Sequence, residues 1–153
     1  QTNDKPVLLC VMRLFGGPLC RGYAVELRDK VQKKADEKGV QMVALGLEMI
    51  GLEDFQKRKF WPGDIVIENP QQEVHKLLNL KRASILKILD YGMLKKGSKL
   101  QKEVGGNATE GDGLVLGGVF IMDKAGKCVY EWRQRNFKTD AGTDDILNVL
   151  DGL

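Results

Sequence analysis

The chain has no Cys-x-x-Cys pair, one histidine, and three cysteines at unrelated spacings, Cys10, Cys20 and Cys128. So sparse and odd a set excludes the dense, even framework of a disulfide-stapled secreted domain. The lone histidine, His75, leaves too few ligands for a zinc site, and no metal is expected. No apolar run approaches the roughly 18 residues of a membrane-spanning helix. With 24 Lys and Arg against 21 Asp and Glu, the net charge is +3. That balance lacks the concentrated basic face of a nucleic-acid binder. No signal-peptide pattern opens the chain, since Gln1 begins a polar segment leading into a strand. The missing initiator methionine suggests a processed or trimmed chain, and cysteine usage suggests a reducing, cytoplasmic setting. At 153 residues and 42% hydrophobic composition, a single domain over 1–153 is expected.

What is present begins with Val7–Met12, a compact apolar run of strand length. The break Gly16-Gly17-Pro18 follows, then Cys20, Tyr23, Ala24, Leu27, Val31 and Ala35 recur at helical steps. Pro18 suits a helix's first turn and Gly39 its end. Val40–Leu45 reads as a second strand, completing a strand–helix–strand unit that builds a parallel sheet. Beyond it, Gly51–Phe60 reads as a short helix, Asp64–Glu68 as a third strand, and 71–80 and 84–104 as helical. The glycine-rich stretch 105–113 reads as a loop. Leu114–Met122 and Cys128–Arg133 flank a hairpin signal at Asp123–Lys127, and Asp144 or Asp145 could cap a last helix through Leu150. The expected class is α/β: a thioredoxin-like fold, its mixed central sheet of four to five strands covered by helices on both faces.

The segment Phe15–Cys20 carries the chemistry. It puts the Cys20 thiol on the first turn of a helix, where unpaired N–H groups and the positive dipole end favour a thiolate. The other reading makes Cys20 a small apolar residue on the helix's inner face. Arg13 and Arg21 could add positive charge there, or Arg21 could point to solvent. Cys10, inside a strand, and Cys128, at a hairpin edge, read as structural. His75, on a helix with no partner in view, reads as a surface residue, and the basic stretch Lys95–Lys102 as a solvated helix end.

Several short strings, in order, resemble one family. They are Arg13-Leu14-Phe15-Gly16, Cys20-Arg21, Gly51-Leu52-Glu53-Asp54-Phe55, Leu80-Lys81-Arg82, Gly106-Asn107 and Gly117-Gly118-Val119-Phe120. The chain resembles the peroxiredoxin-like 2 proteins, an AhpC/TSA-like group of the thioredoxin superfamily, and looks most like their prostamide/prostaglandin F synthase branch. That family's motif is Phe-Gly-Cys-x-x-Cys, or selenocysteine in the first place. Cys20 matches its second cysteine, and Gly17 stands where the first would be. The extra N-terminal segment usual in the family is mostly absent.

The resemblance implies a thiol oxidoreductase in which Cys20 attacks a peroxide-type oxygen or a disulfide sulfur. Its substrates would be a small-molecule peroxide or endoperoxide, or a protein disulfide. No cofactor would be bound, and electrons would come from NADPH or a thioredoxin-like donor. Glu48 follows the second strand, at the end of the sheet where open α/β folds place ligands. It matches an acidic position of the family and could relay protons, or be a solvated loop carboxylate. Arg133 could steady an anion or be a surface residue. Gly117 enters the fourth strand opposite the cysteine loop, leaving room for substrate or for close backbone packing. Phe15 and Pro18 would flank the substrate. The rival reading is a non-catalytic thioredoxin-like binding or redox-regulatory domain that has lost its dithiol.

Overall fold

Alternation along Val7–Met12 sends Leu8, Cys10 and Met12 to one face of a sheet and Leu9 and Val11 to the other. This strand, β1, lies at the centre of the fold. The computed structural model describes residues 4–83, 91–106, 114–137 and 139–153, with 91–94 as backbone only. After β1 come α1 (Pro18–Lys30), α2 (Gln32–Glu37), β2 (Gln41–Gly46), α3 (Leu52–Lys57), β3 (Asp64–Ile67) and α4 (Glu73–Leu77). The chain continues through α5 (Tyr91–Val104), β4 (Gly118–Met122), β5 (Cys128–Arg133) and α6 (Thr143–Asp151).

The five strands among the described residues run in the order β3-β2-β1-β4-β5. β1 pairs parallel with β2, from Val7↔Gln41 to Met12↔Gly46, and β2 pairs parallel with β3. β4 returns antiparallel to β1, from Val7↔Met122 to Val11↔Gly118, and pairs antiparallel with β5. The fold is therefore the thioredoxin-like α/β arrangement expected, with a mixed sheet. On one face, Leu8, Cys10, Ala44, Val119 and Ile121 pack with Tyr23, Ala24 and Leu27 of α1 and Ile146 and Leu150 of α6. On the other, Val11, Leu45 and Phe120 meet Leu78, at the end of α4, and Leu80. No described helix is long and apolar enough to cross a membrane.

Several elements differ from the sequence expectation. The first long helix breaks at Val31, yet Val31 and Ala35 stay fully buried, so the apolar stripe continues across the break. β4 starts at Gly118 rather than Leu114, because residues 114–116 pair instead with 81–83: Ala83 N–H donates to Leu114 O at 2.7 Å and Leu116 N–H to Lys81 O at 2.8 Å. The cap position of α6 is Gly142, with Asp144 and Asp145 in its first turn, where negative charge suits the dipole. The expected helix over 84–104 forms over Tyr91–Val104, its earlier part lying outside the described residues, as does 107–113 of the expected loop. The hairpin holds: the Asp123 carboxylate accepts the N–H groups of Ala125 and Lys127 at 3.0 and 2.9 Å.

Candidate functional site

The loop between β1 and α1 is held from both sides. Phe15 is buried, its ring 5.0 Å from that of Phe55. A Cβ on Gly46 would come within 2.2 Å of the Phe15 ring, so the end of β2 must lack a side chain for Phe15 to seat. Of the two readings of Arg21, the solvent-facing one fails: the residue is 3% exposed. Its Nε donates to Phe15 O at 2.8 Å and its Nη1 meets Asp54 of α3 at 2.7 Å. Its guanidinium also lies over Phe60. A long cation whose fork finds two acceptors and an aromatic face buries readily, which the single residue type could not reveal.

Gly17 is the N-cap of α1, with ordinary extended angles (φ −76°, ψ 132°) and no side-chain cap, and Pro18 occupies the first turn. Cys20 follows in that turn, half-buried. It lines a cavity of about 20 Å³ together with Cys10, Met12, Arg13, Tyr23, Gly118, Trp132, Gln134 and Asp140. A space of that size admits about one water. It would therefore take the end of a small oxygen group rather than a whole ligand.

The part of the lining formed by Gln134 and Asp140 is polar and tightly tied. Gln134 Oε1 accepts Gly117 N–H at 2.8 Å, and its Nε2 donates to Thr139 O and Asp140 Oδ1, both at 3.1 Å. Tyr23 Oη donates to Ala141 O at 2.9 Å. Burial pushes the Asp140 carboxyl up from 3.8 to about 6, against the opposing pull of Lys96, Arg13 and the Gln134 hydrogen bond. Lys96 Nζ lies 3.7 Å from that carboxylate, so one member of the basic stretch Lys95–Lys102 serves the site. Burial also pushes the Cys10 thiol well above its ordinary range, with Asp140 and Cys20 adding to the effect. Arg13, 8% exposed, sits over the Phe137 ring at 4.6 Å. An open trough on the surface shares Trp132, Gln134 and Asp140 with the cavity.

The other residues singled out in the sequence fall elsewhere. Phe15 and Pro18 are buried as supports of the loop and do not line the cavity. Glu48 is half-buried on the loop after β2, away from the cavity wall. Arg133 lines the trough; its Nε donates to Leu78 O at 2.6 Å and its guanidinium covers Phe120. A Cβ on Gly117 would lie 2.2 Å from Val11 O, so close backbone packing, with its N–H taken by Gln134, is what this glycine serves. Cys128 is exposed. His75 is buried rather than on the surface, its Nδ1 against the Glu68 carboxylate, which also accepts the His75 backbone N–H at 3.2 Å. Sequence reasoning missed Gln134, Asp140 and the place of Cys10. The buried acid carries no local signature, because its neighbours come from β1, α1 and α5.

A thiol at the start of the first helix, beside a small cavity in a five-stranded mixed sheet, gives the protein a thioredoxin-like site architecture. Residues 26–136 match the family model described as AhpC/TSA antioxidant enzyme, and the chain belongs to that family. It is 34% identical over 155 residues to the prostamide/prostaglandin F synthase of Salmo salar, covering 97% of this chain and 76% of that one. It is 30% identical over 154 residues to the Homo sapiens protein of the same name, again covering 97% and 76%. Among solved structures it resembles Xanthomonas campestris peroxiredoxin Q (TM-score 0.66, 12% identity, 99% of this chain and 80% of that one). Mycobacterium tuberculosis AhpC is also similar (TM-score 0.60, 12% identity, 99% and 70%). At such identities the structural likeness speaks for the fold.

Proposed function

We propose that the protein is a thiol oxidoreductase that cleaves a peroxide-type O–O bond with Cys20 as the attacking group. The observation that carries this reading is the cavity itself. It brings Cys20, Arg13 and the Gln134–Asp140 pair to one water-sized space at the helix start. The Cys20 thiolate would attack one oxygen while the other leaves with the electron pair of the broken bond. From a hydroperoxide this forms a sulfenic acid and an alcohol. From a cyclic endoperoxide it forms a sulfenate ester, and a second thiol then releases the diol. Arg13 would stabilise charge developing on the leaving oxygen, and Asp140, whose carboxyl burial raises to about 6, would supply its proton.

The named relatives make a lipid endoperoxide of the prostaglandin H2 type, or its ethanolamide, the first substrate class to try, with hydroperoxides second. The chain would reach such a substrate through the trough beside Asp140. Electrons would come from NADPH or a thioredoxin-like dithiol donor. The test is NADPH-coupled turnover of prostaglandin H2 and of an alkyl hydroperoxide, with Cys20→Ser as the blank. Turnover above the blank with either substrate supports the reading. Parity with the blank for both would reject it in favour of a binding domain.

A further inference from the structure

Gly17 offers no thiol to close a disulfide with an oxidised Cys20, and the family motif therefore lacks its local partner. Yet a second sulfur stands at the same cavity. Cys10 lies on the face of β1 that meets α1, is 2% exposed, and lines the small space that Cys20 also lines. We propose that Cys10 is the resolving thiol of this site, forming a disulfide with Cys20 across the cavity after Cys20 is oxidised. This rests on Cys20 being the attacking group.

Three features favour the closure. The cavity that both cysteines line is small, about 20 Å³, and the two thiols are near enough to act on one another electrostatically. No side-chain cap fixes the start of α1, since Gly17 supplies none and Pro18 has no N–H. The Cys20 N–H belongs to the first turn, whose N–H groups have no partner within the helix. Finally, Asp140 is on the same wall and can carry the proton. The step balances as Cys20–SOH plus Cys10–SH giving a disulfide and water. The Cys10 sulfur attacks the Cys20 sulfur, its proton passes to the Asp140 carboxylate, and that proton leaves with the departing oxygen. A sulfenate ester would release an alcohol in place of water. Burial keeps the Cys10 thiol protonated and inert toward peroxide, which divides the labour between the two cysteines. An external dithiol then reopens the bond at Cys20, the less buried sulfur.

The test is peptide mapping without reductant after equimolar hydrogen peroxide and, separately, after diamide, which oxidises paired thiols without any peroxide site. Cleavage at Arg13 puts the two cysteines on different peptides. The expected result is a dithiothreitol-sensitive link between the Cys10 and Cys20 peptides under both oxidants, with Cys128 still alkylatable. In Cys10→Val and Cys10→Ala, two thiol-free replacements of different bulk, peroxide should leave Cys20 as a sulfenic acid. Its dimedone labelling should rise by roughly tenfold or more over the parent, as expected when an intramolecular reaction is removed. Oxidation of Cys20 with no link to Cys10, and equal dimedone labelling in parent and variants, would overturn the assignment while leaving the peroxide reading intact. A link formed by diamide, with Cys20 left unoxidised by peroxide, would uphold the pairing and reject Cys20 as a peroxide-attacking group. No link under either oxidant overturns the pairing whatever the peroxide does.

Discussion

Replacing Asp140 by Asn tests the electrostatics of the site. In the folded chain burial holds this carboxyl at about 6, whereas an exposed aspartate sits near 3.8. The groups facing it are Lys96 of α5, Arg13 after β1, Glu26 of α1 and Gln134 after β5, with Cys10 on the same cavity wall. Between these two pH values the folded state holds a proton that the unfolded chain has lost. Stability therefore falls as pH rises from about 4 to about 6, and is level above that window. The displacement from 3.8 to about 6 corresponds to a ceiling of ~3 kcal/mol. The side chain is 22% exposed, and water relaxation there reduces the expected cost to about 1–2 kcal/mol. Asn keeps an oxygen to accept the Gln134 bond and removes the buried charge. Asp140→Asn should therefore match the parent at pH 4 and exceed its stability by about 1–2 kcal/mol at pH 7.5. Urea unfolding across that range, with thiols kept reduced, measures the gap. A variant less stable at pH 7.5, or a gap that does not change with pH, would mean that Lys96 and Arg13 more than compensate the charge, and the reasoning would fail.

Other outcomes follow from the same geometry. Gly17→Cys should fold, because its backbone angles suit any residue and the nearest atoms an added Cβ would meet are the Leu14 side chain and carbonyl, at 3.3 and 3.5 Å, which a few tenths of an ångström relieve. On oxidation the new thiol should pair with Cys20 in a reducible short-loop disulfide and draw Cys20 away from Cys10, which non-reducing peptide maps would show. Gly46→Ala should cost about 1–3 kcal/mol by thermal unfolding, since its methyl would press on the Phe15 ring. Arg21→Met should cost about 2–3 kcal/mol and slow any Cys20 chemistry, by freeing Phe15 O and loosening the loop. Arg21→Lys should not restore it, because one ammonium cannot span both acceptors. A denaturant midpoint for Lys equal to the parent's would contradict that.

Much of this protein could be read along the chain, because the signals concerned are local. An apolar run of strand length, a Gly-Gly-Pro break, three- and four-residue periodicity, and the Asp123–Lys127 turn specify β1, the start of α1, and the final hairpin without reference to distant residues. They also put Cys20 on a helix's first turn, where its chemistry is legible. What surrounds that thiol was decided by tertiary structure. Cys10 reads as an ordinary strand residue until β1 is set beneath α1, and Asp140 as a loop acid until Gln134, Tyr23 and Arg13 close over it. Arg21 and His75 have the composition of surface residues, yet both are buried because Asp54 and Phe15 O, or Glu68, wait at the right places. Arg133, the arginine chosen from strand position, supports Leu78, while Arg13 faces the cavity. Periodicity and turn chemistry act between near neighbours. Burial and charge pairing depend on which distant segments the sheet order brings together.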